Sequence, residues 1–200
     1  MDWKLLLAKT AVPLRETRER DKEFVGGRKP GNLRILVARN EESFSFIYEE
    51  HLEMLRGMGN VSFFDPEKDV PIAQDTDLLY LPGGYPEKHS MALAGARQVK
   101  ESVREYIERG GKTLAECGGM IYLSYAIGYD KRGHESGGSG FDRMAGVFPF
   151  YISNESEYRK LTLGYRSFDY KGQRLRGHEF HYTQFGKSGT APDDSKKELY

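Results

Sequence analysis

Residues 114–122 read LAECGGMIY and hold the only cysteine of the chain. Leu114 and Ala115 predict the end of a buried strand, the two glycines after Cys117 permit a sharp turn, and the apolar residues that follow predict a helix. Such a strand-to-helix turn exposes the sulfur and directs the positive end of the helix toward it, which favours the thiolate. A lone cysteine is more often a small buried side chain. Because core packing gives no reason for glycine at positions 118 and 119, the pattern favours a nucleophile elbow.

The composition limits the class of protein. A chain of 200 residues fits one domain with a core of its own, and 30 basic residues balance 30 acidic ones. This balance does not favour nucleic acid or an anionic membrane, so a small substrate or a protein partner fits better. One cysteine cannot form an internal disulfide, and no apolar run approaches the about 20 residues of a membrane span. Since there is also no signal-peptide pattern, we expect a soluble, reduced, cytoplasmic protein.

The order of apolar patterns predicts an α/β domain. Residues 1–32 are charged and glycine-rich, and we interpret them as a linker or the remnant of an upstream domain. From residue 33 onward the patterns predict strands at 33–38, 61–64, 78–81 and 112–115, with helices over 44–58 and 99–107. Strands separated by helices predict a mainly parallel, flavodoxin-like sheet with helices on both faces and functional residues at the carboxyl ends of its strands.

The second half of the chain predicts a β-rich C-terminal part. Residues 128–143 are polar and glycine-rich, which fits a lid, a binding loop or a plain surface loop. Residues 146–152, 160–170 and 173–182 have the composition of short strands. Residues 186–200 have little apolar content and predict a flexible tail, so the domain is expected to span residues 33–185.

A thiol nucleophile needs a base. If the sequence GHEFHY (177–182) is extended, Glu179 and His181 point to one face, and His178 points to the other. We therefore predict His181 as the base, with Glu179 as a candidate neighbour, and expect a structural hydrogen bond for His178. The two histidines diverge, HEFH is not HExxH, and no second cysteine or acidic cluster completes a ligand set. The sequence thus predicts no metal site.

The segment LPGGYPE (81–87) is the third element of the predicted site. A strand that runs into glycines presents bare backbone amides at the edge of the sheet next to the elbow. Acyl transfer needs two N–H donors where the oxyanion forms, and one of them usually belongs to the residue after the nucleophile. We predict that Gly84 and Gly118 form this oxyanion hole. Taken alone, the segment would be an ordinary strand-to-loop turn.

Five stretches of this sequence carry a resemblance to a known family: AECGGMIYL, LPGGYPE, GHEFHYT, RILVARNEESFSFIYEEHLEMLRGMG and LTLGYRSF. They resemble the CobB/CobQ-type branch of the class I glutamine amidotransferases. The resemblance covers about residues 33–182 and is closest to the C-terminal glutaminase part of the synthases that amidate the a and c carboxylates of cobyrinate-type corrin rings. It implies glutamine hydrolysis with Cys117 as nucleophile and His181 as the residue that activates it.

This sequence departs from the wider class at two places. Ala115 takes the first glycine position of the common GxCxG elbow, as it does in the CobB/CobQ branch. The triad of the class usually ends in HPE, but here Tyr182 and Thr183 follow His181. A Cys–His dyad is therefore expected, with Glu179 or a distant carboxylate as the orienting group.

The resemblance also implies a partner. In this family the glutaminase supplies ammonia to an N-terminal synthetase domain that uses ATP and Mg²⁺ and carries a P-loop. GGKT at 110–113 has Tyr106 where a P-loop needs its first glycine, and GKS at 186–188 has His181 there. We therefore expect the phosphate chemistry to lie outside this sequence.

Two alternatives stay open at this point. The first is a glutaminase of another synthase of the branch, such as cobyrate synthase, the nickel-sirohydrochlorin diamide synthase or a cell-wall amidating enzyme. GHEFHY favours the diamide synthases, because YEIH is expected in cobyrate synthase. The second alternative is a non-catalytic module that keeps the fold and binds glutamine.

Overall fold

The structure is a computed structural model, and it describes residues 31–129 and 140–186. Most of the predicted linker (1–32), the centre of the loop predicted at 128–143 and nearly all of the predicted tail (186–200) lie outside these residues.

Four parallel strands form the sheet that carries the elbow. Their order is β2-β1-β3-β4, where β1 is Leu33–Ala38, β2 is Gly59–Phe64, β3 is Leu78–Leu81 and β4 is Thr113–Ala115. This is the order of the first four strands of a flavodoxin-like sheet. The nearly unbroken apolar run of β1 is typical of a strand that is covered on both faces. The four predicted strands are confirmed within two residues at each end.

Helices cover both faces of this sheet, as predicted. α1 (Glu49–Met58) packs on one face, where its Leu55 lies in one apolar cluster with β1 and β3. The other face carries the larger apolar cluster, to which three helices contribute: α2 (Ser90–Gly95), α3 (Arg97–Glu108) and α4 (Gly118–Leu123). The main core therefore lies between the sheet and the helices that flank the elbow.

The prediction of a helix from residue 44 onward was wrong in its first turn, because α1 begins only at Glu49. The backbone N–H of Phe44 donates a hydrogen bond to Oδ1 of Asn40, at 2.7 Å. This side-chain acceptor closes a turn. Two residues further on, the backbone N–H of Phe46 donates to the carbonyl oxygen of Gly83, at 3.3 Å, in an antiparallel bridge that keeps the chain extended before α1. Phe44 is instead fully buried, with its ring edge-on to Tyr122 at a centroid distance of 5.5 Å.

Leu114 was also predicted incorrectly. It is 46 % exposed, although its strand was expected to end in a buried apolar pair. Within the described residues β4 pairs only with β3, and the apolar cluster that Leu55 of α1 forms on this face includes β1 and β3 but not Leu114. Leu114 therefore lies at the edge of the sheet, outside the apolar contacts of the helix that covers its neighbours.

The C-terminal part is β-rich, as predicted, and forms two further sheets. One has the order β10-β7-β5-β6, and the other is the antiparallel hairpin β8–β9. The strands are β5 (Ala126–Tyr129), β6 (Gly140–Arg143), β7 (Tyr151–Ser153), β8 (Thr162–Tyr170), β9 (Gln173–His181) and β10 (Gln184–Phe185). The two ends of the predicted loop 128–143 are thus strand, while only the last residues of the predicted strand 146–152 are extended.

Gly119→Ala is expected to destabilise the fold more than Gly57→Ala. A Cβ at position 119 would lie 2.1 Å from the backbone carbonyl oxygen of Leu81, whereas a Cβ at Gly57 of α1 meets no atom within 4 Å. We expect Gly119→Ala to lower the free energy of unfolding by about 2 kcal/mol or more. Gly57→Ala should raise it by about 0.5–1 kcal/mol. Urea denaturation measures both values, and equal effects of the two changes would contradict the packing described here.

Candidate active site

Cys117 lies on a strained turn between β4 and α4. Its φ is +48° and its ψ is −108°, a left-handed conformation that costs a non-glycine residue about 1–3 kcal/mol. Such strain persists only where the surrounding structure holds it. The strand-turn-helix geometry is that of a nucleophile elbow, and the cysteine is exposed at the carboxyl end of the sheet.

Two loops from neighbouring strands pack against this turn backbone to backbone. A Cβ on Gly84, whose φ is +159°, would lie 2.0 Å from the carbonyl oxygen of Ser43. A Cβ on Gly118 would lie 3.0 Å from the backbone nitrogen of Gly84. The backbone N–H of Tyr85 donates a hydrogen bond to the carbonyl oxygen of Ser43, at 3.0 Å. The loop that follows β3 therefore packs against the loop after β1 on one side and the turn after β4 on the other, and glycine is needed at both contacts.

The sulfur of Cys117 experiences opposing influences. Cys117 as a residue is exposed, but protein atoms around its sulfur displace part of the water that would solvate a thiolate. This partial burial raises the pKa of the thiol and is the largest effect. The backbone N–H groups of Gly118 and Gly84 act as hydrogen-bond donors toward the sulfur and lower the pKa. The amides of the turn thus favour the thiolate, as expected, but desolvation outweighs them and the net direction of the pKa is upward. Gly84 and Gly118 nevertheless direct their amides at one atom, as an oxyanion hole requires, and their assignment stays a prediction.

His181 does not contact Cys117 in the structure. It ends β9, and its Nε2 lies 2.8 Å from Oε1 of Glu179 while its Nδ1 lies 2.7 Å from the carbonyl oxygen of Thr183. The described residues show no hydrogen bond between this imidazole and the sulfur. The side chains of Glu179 and His181 do share a face, as alternation along the strand requires. The role of His181 as base therefore stays a prediction.

Glu179 is held by two cationic or hydrogen-bonding neighbours. The hydrogen bond with His181 and the positive charge of Arg166, whose Nε lies 2.6 Å from the carboxylate, hold the pKa of Glu179 below its ordinary value. His178 points away from this pair, and its ring meets Tyr165 edge-to-face at a centroid distance of 5.3 Å. The hydrogen bond expected for His178 is not found among the described residues, and the ring contact across the hairpin takes its place.

The sequence patterns did not identify two groups that lie near the elbow. Glu87 follows the glycines of LPGGYPE, and its Oε2 is buried without a hydrogen-bond partner. Burial raises the pKa of Glu87, and its charge in turn raises that of Cys117. The second group joins Glu116 to Tyr80 and His51. Two sequence signals could have identified these groups. Glu87 is an acidic residue in a strand-end loop, and strand alternation places Glu116 on the face of Tyr80.

The described ranges contain no group of three or more His, Cys, Asp or Glu side chains arranged to hold a metal ion. Over those same ranges, no helix has both the length and the apolar character needed to span a membrane.

Alkylation of Cys117 is expected to titrate above the ordinary cysteine pKa of about 8.5. Burial disfavours the charged thiolate more than the two amides favour it, so the reactive form accumulates only at higher pH. The rate of iodoacetamide alkylation against pH measures the midpoint, and the lone cysteine makes the signal unambiguous. In urea the midpoint should return to about 8.5. A native midpoint below the unfolded one would contradict the described environment.

Comparison with known proteins places this site in a family. Residues 34–197 match the CobB/CobQ-like glutamine amidotransferase domain. A cobyrinate a,c-diamide synthase of Priestia megaterium is 37% identical over 161 residues, which are 76% of this chain and 33% of that protein. A hydrogenobyrinate a,c-diamide synthase of Brucella abortus is 36% identical over 160 residues, 77% of this chain and 34% of that protein.

A third relative and one solved structure are also similar to this chain. A cobyrinate a,c-diamide synthase of Sulfolobus acidocaldarius is 33% identical over 152 residues, 72% of this chain and 32% of that protein. A crystal structure of a glutamine amidotransferase shares 17% identity at a TM-score of 0.46, covering 78% of this chain and 76% of that one. The chain thus spans about a third of the length of the curated relatives it matches. Because the family match covers most of the sequence, the chain belongs to the CobB/CobQ-like glutamine amidotransferases.

Proposed function

We propose that this chain is the glutaminase domain of a cobyrinate a,c-diamide synthase, acting in cobalamin biosynthesis in the cytoplasm. Membership of the glutamine amidotransferase family and the names of the relatives support this function. The observation that carries it is the elbow, where Cys117 has a φ of +48° and two backbone amides are directed at its sulfur. This arrangement serves acyl transfer from an amide to a thiol.

The proposed reaction has two halves. His181 removes the proton of the Cys117 thiol, the thiolate attacks the side-chain amide carbon of glutamine, and the N–H groups of Gly84 and Gly118 stabilise the oxyanion. His181 donates that proton to the amide nitrogen, which departs as ammonia and leaves a glutamyl thioester. His181 then removes a proton from water, the hydroxide attacks the thioester carbon and releases glutamate, and His181 returns the proton to the departing thiolate.

This mechanism requires a change in the contacts of His181. Both ring nitrogens face acceptors in the structure, the carboxylate of Glu179 and the carbonyl oxygen of Thr183. A base needs one nitrogen free, so the imidazole must leave one of these acceptors to reach the sulfur. We propose that Nε2 leaves Glu179, while the Nδ1–H donated to Thr183 keeps the ring in one tautomer.

The ammonia needs an acceptor outside this chain. About two thirds of the length of the relatives has no counterpart here. We propose that this missing part is the ATP- and Mg²⁺-dependent synthetase, which activates a corrin carboxylate as an acyl phosphate for attack by ammonia. The diamide synthases are preferred over other members of the branch because all of the named relatives described above are of this type.

Replacement of Cys117 by Ala is expected to abolish glutamine-dependent amidation by the complete synthase. Ammonia-dependent amidation should stay at the wild-type rate, because free ammonia bypasses the thiol. The assay compares formation of the diamide product with glutamine and with ammonium as the nitrogen source. Loss of both activities, or retention of both, would refute the proposed division of labour.

His181→Ala and His178→Ala form a matched pair on the same strand. Loss of the imidazole at position 181 should lower the kcat for glutamine by about 100-fold or more, since general acid–base catalysis contributes about 10²–10⁴-fold. His178→Ala should leave kcat within twofold, because His178 points to the opposite face. Release of glutamate by the complete synthase in the presence of ATP measures both. Equal losses would indicate that the hairpin matters only as a whole.

A non-catalytic glutamine-binding module is the second candidate function. The raised pKa of Cys117 and the engagement of both nitrogens of His181 favour it. Glutamine that binds to the complete synthase with ATP present but yields no glutamate would establish this alternative.

A further inference from the structure

We propose that Glu116, through its contacts with Tyr80 and His51, is a positioning residue that holds the nucleophile elbow in its reactive geometry. This inference rests on the proposed function, because it concerns how Cys117 is presented to glutamine. Glu116 is the residue immediately before the strained cysteine.

The contacts form a short chain of three polar groups. The hydroxyl of Tyr80 donates a hydrogen bond to Oε2 of Glu116, at 2.6 Å. Nδ1 of His51 lies 3.2 Å from the same hydroxyl oxygen and 4.0 Å from the carboxylate. Tyr80 is 2 % exposed, whereas the side chains of His51 and Glu116 are 38 % and 44 % exposed. A buried residue thus anchors two side chains that would otherwise be free at the surface.

The three groups come from three different elements. β3 pairs with β4 in the register Tyr80↔Leu114, so alternation brings residue 116 to the face on which the Tyr80 ring lies. α1 covers this face and contributes His51. The backbone N–H of Glu116 also donates to the carbonyl oxygen of Leu81, at 2.9 Å. Both the backbone and the side chain of Glu116 are therefore held, one residue before the turn at Cys117.

The negative charge of Glu116 does not explain its place beside the nucleophile. That charge contributes to raising the pKa of the Cys117 thiol, which works against the thiolate. Burial and the hydrogen bond to Glu116 raise the pKa of Tyr80, so its hydroxyl stays protonated and remains a donor. What Glu116 supplies is an acceptor for this donor. Geometry and charge can therefore be separated, because glutamine keeps the acceptor oxygen and loses the charge.

Labelling of Cys117 by 6-diazo-5-oxo-L-norleucine, a glutamine analogue that alkylates thiols, tests the proposal on the chain itself. Glu116→Ala and Tyr80→Phe should lower the maximal labelling rate by fivefold or more, while the half-saturating concentration stays within twofold. Glu116→Gln should label at the wild-type rate or faster, because its amide oxygen still accepts from Tyr80. Circular dichroism and urea denaturation confirm that each variant is folded.

Tyr106→Phe is the matched control. Tyr106 is also buried, and its hydroxyl donates to the carbonyl oxygen of Lys112, away from the elbow, at 3.1 Å. Its loss should leave labelling of Cys117 unchanged. Labelling of Glu116→Ala at the wild-type rate would overturn the proposal. The same holds if Glu116→Gln is labelled as slowly as Glu116→Ala, or if Tyr80→Phe and Tyr106→Phe lower the labelling rate equally.

Failure of the proposed function would give a different result. If glutamine does not protect wild-type Cys117 from the diazoketone, the glutaminase function fails independently of the variants. The positioning role is then measured on the rate of alkylation by iodoacetamide, in which Glu116→Ala and Tyr80→Phe must be slower than the wild type while Glu116→Gln is not. Equal iodoacetamide rates in all four proteins would overturn the positioning role.

Discussion

Close backbone contact between strand-end loops is the constraint on which the site depends. The loop after β3 approaches the loop after β1 so closely that a Cβ on Gly84 would lie 2.0 Å from the carbonyl oxygen of Ser43. The first turn of α4 is equally close to the end of β3, at Gly119. A side chain at either position would separate the loops, and the amides of Gly84 and Gly118 would no longer converge on one sulfur. The oxyanion-hole geometry is therefore a consequence of how parallel strands end at one edge of the sheet.

The two residues of the proposed dyad, Cys117 and His181, lie in parts of the fold that differ in how extensively they are packed. Cys117 follows the edge strand of a sheet that has helices on both faces, and its strained conformation is supported by hydrogen-bonded loops. His181 ends a two-stranded hairpin whose strands, within residues 31–129 and 140–186, pair only with each other, and such hairpins have little stability of their own. The Cys117 thiol has a raised pKa and the His181 imidazole is hydrogen-bonded to the Glu179 carboxylate, which in the proposed function corresponds to a resting state. In the proposed function, assembly of the dyad is the step that turns this state into a catalyst.

The sequence predicted the sheet well because its signals are local. The apolar runs of β1 and β3 are bounded by polar residues or proline, and both strands occur where they were expected. Strand alternation also predicts Glu179 on the face of His181, where the structure has it. The first turn of the predicted helix is absent for a reason that periodicity does not reveal, because Phe46 forms a backbone bridge with Gly83 of a distant loop. The prediction that Leu114 is buried was wrong because the exposure of a strand residue depends on which helix covers the strand, and apolar character alone does not reveal that.

The sequence by itself determined the α/β class, the elbow around Cys117, the glycines beside it and the family to which the chain belongs. These features follow from local spacing, because a turn, a strand and a glycine contact each leave a pattern within a few residues. Only the tertiary structure decided that burial outweighs the amides at the sulfur, that Tyr80 and His51 hold Glu116, and that His181 rests on Glu179. Each of these depends on groups far apart in the chain, whose distance and burial arise only when strands and helices pack together.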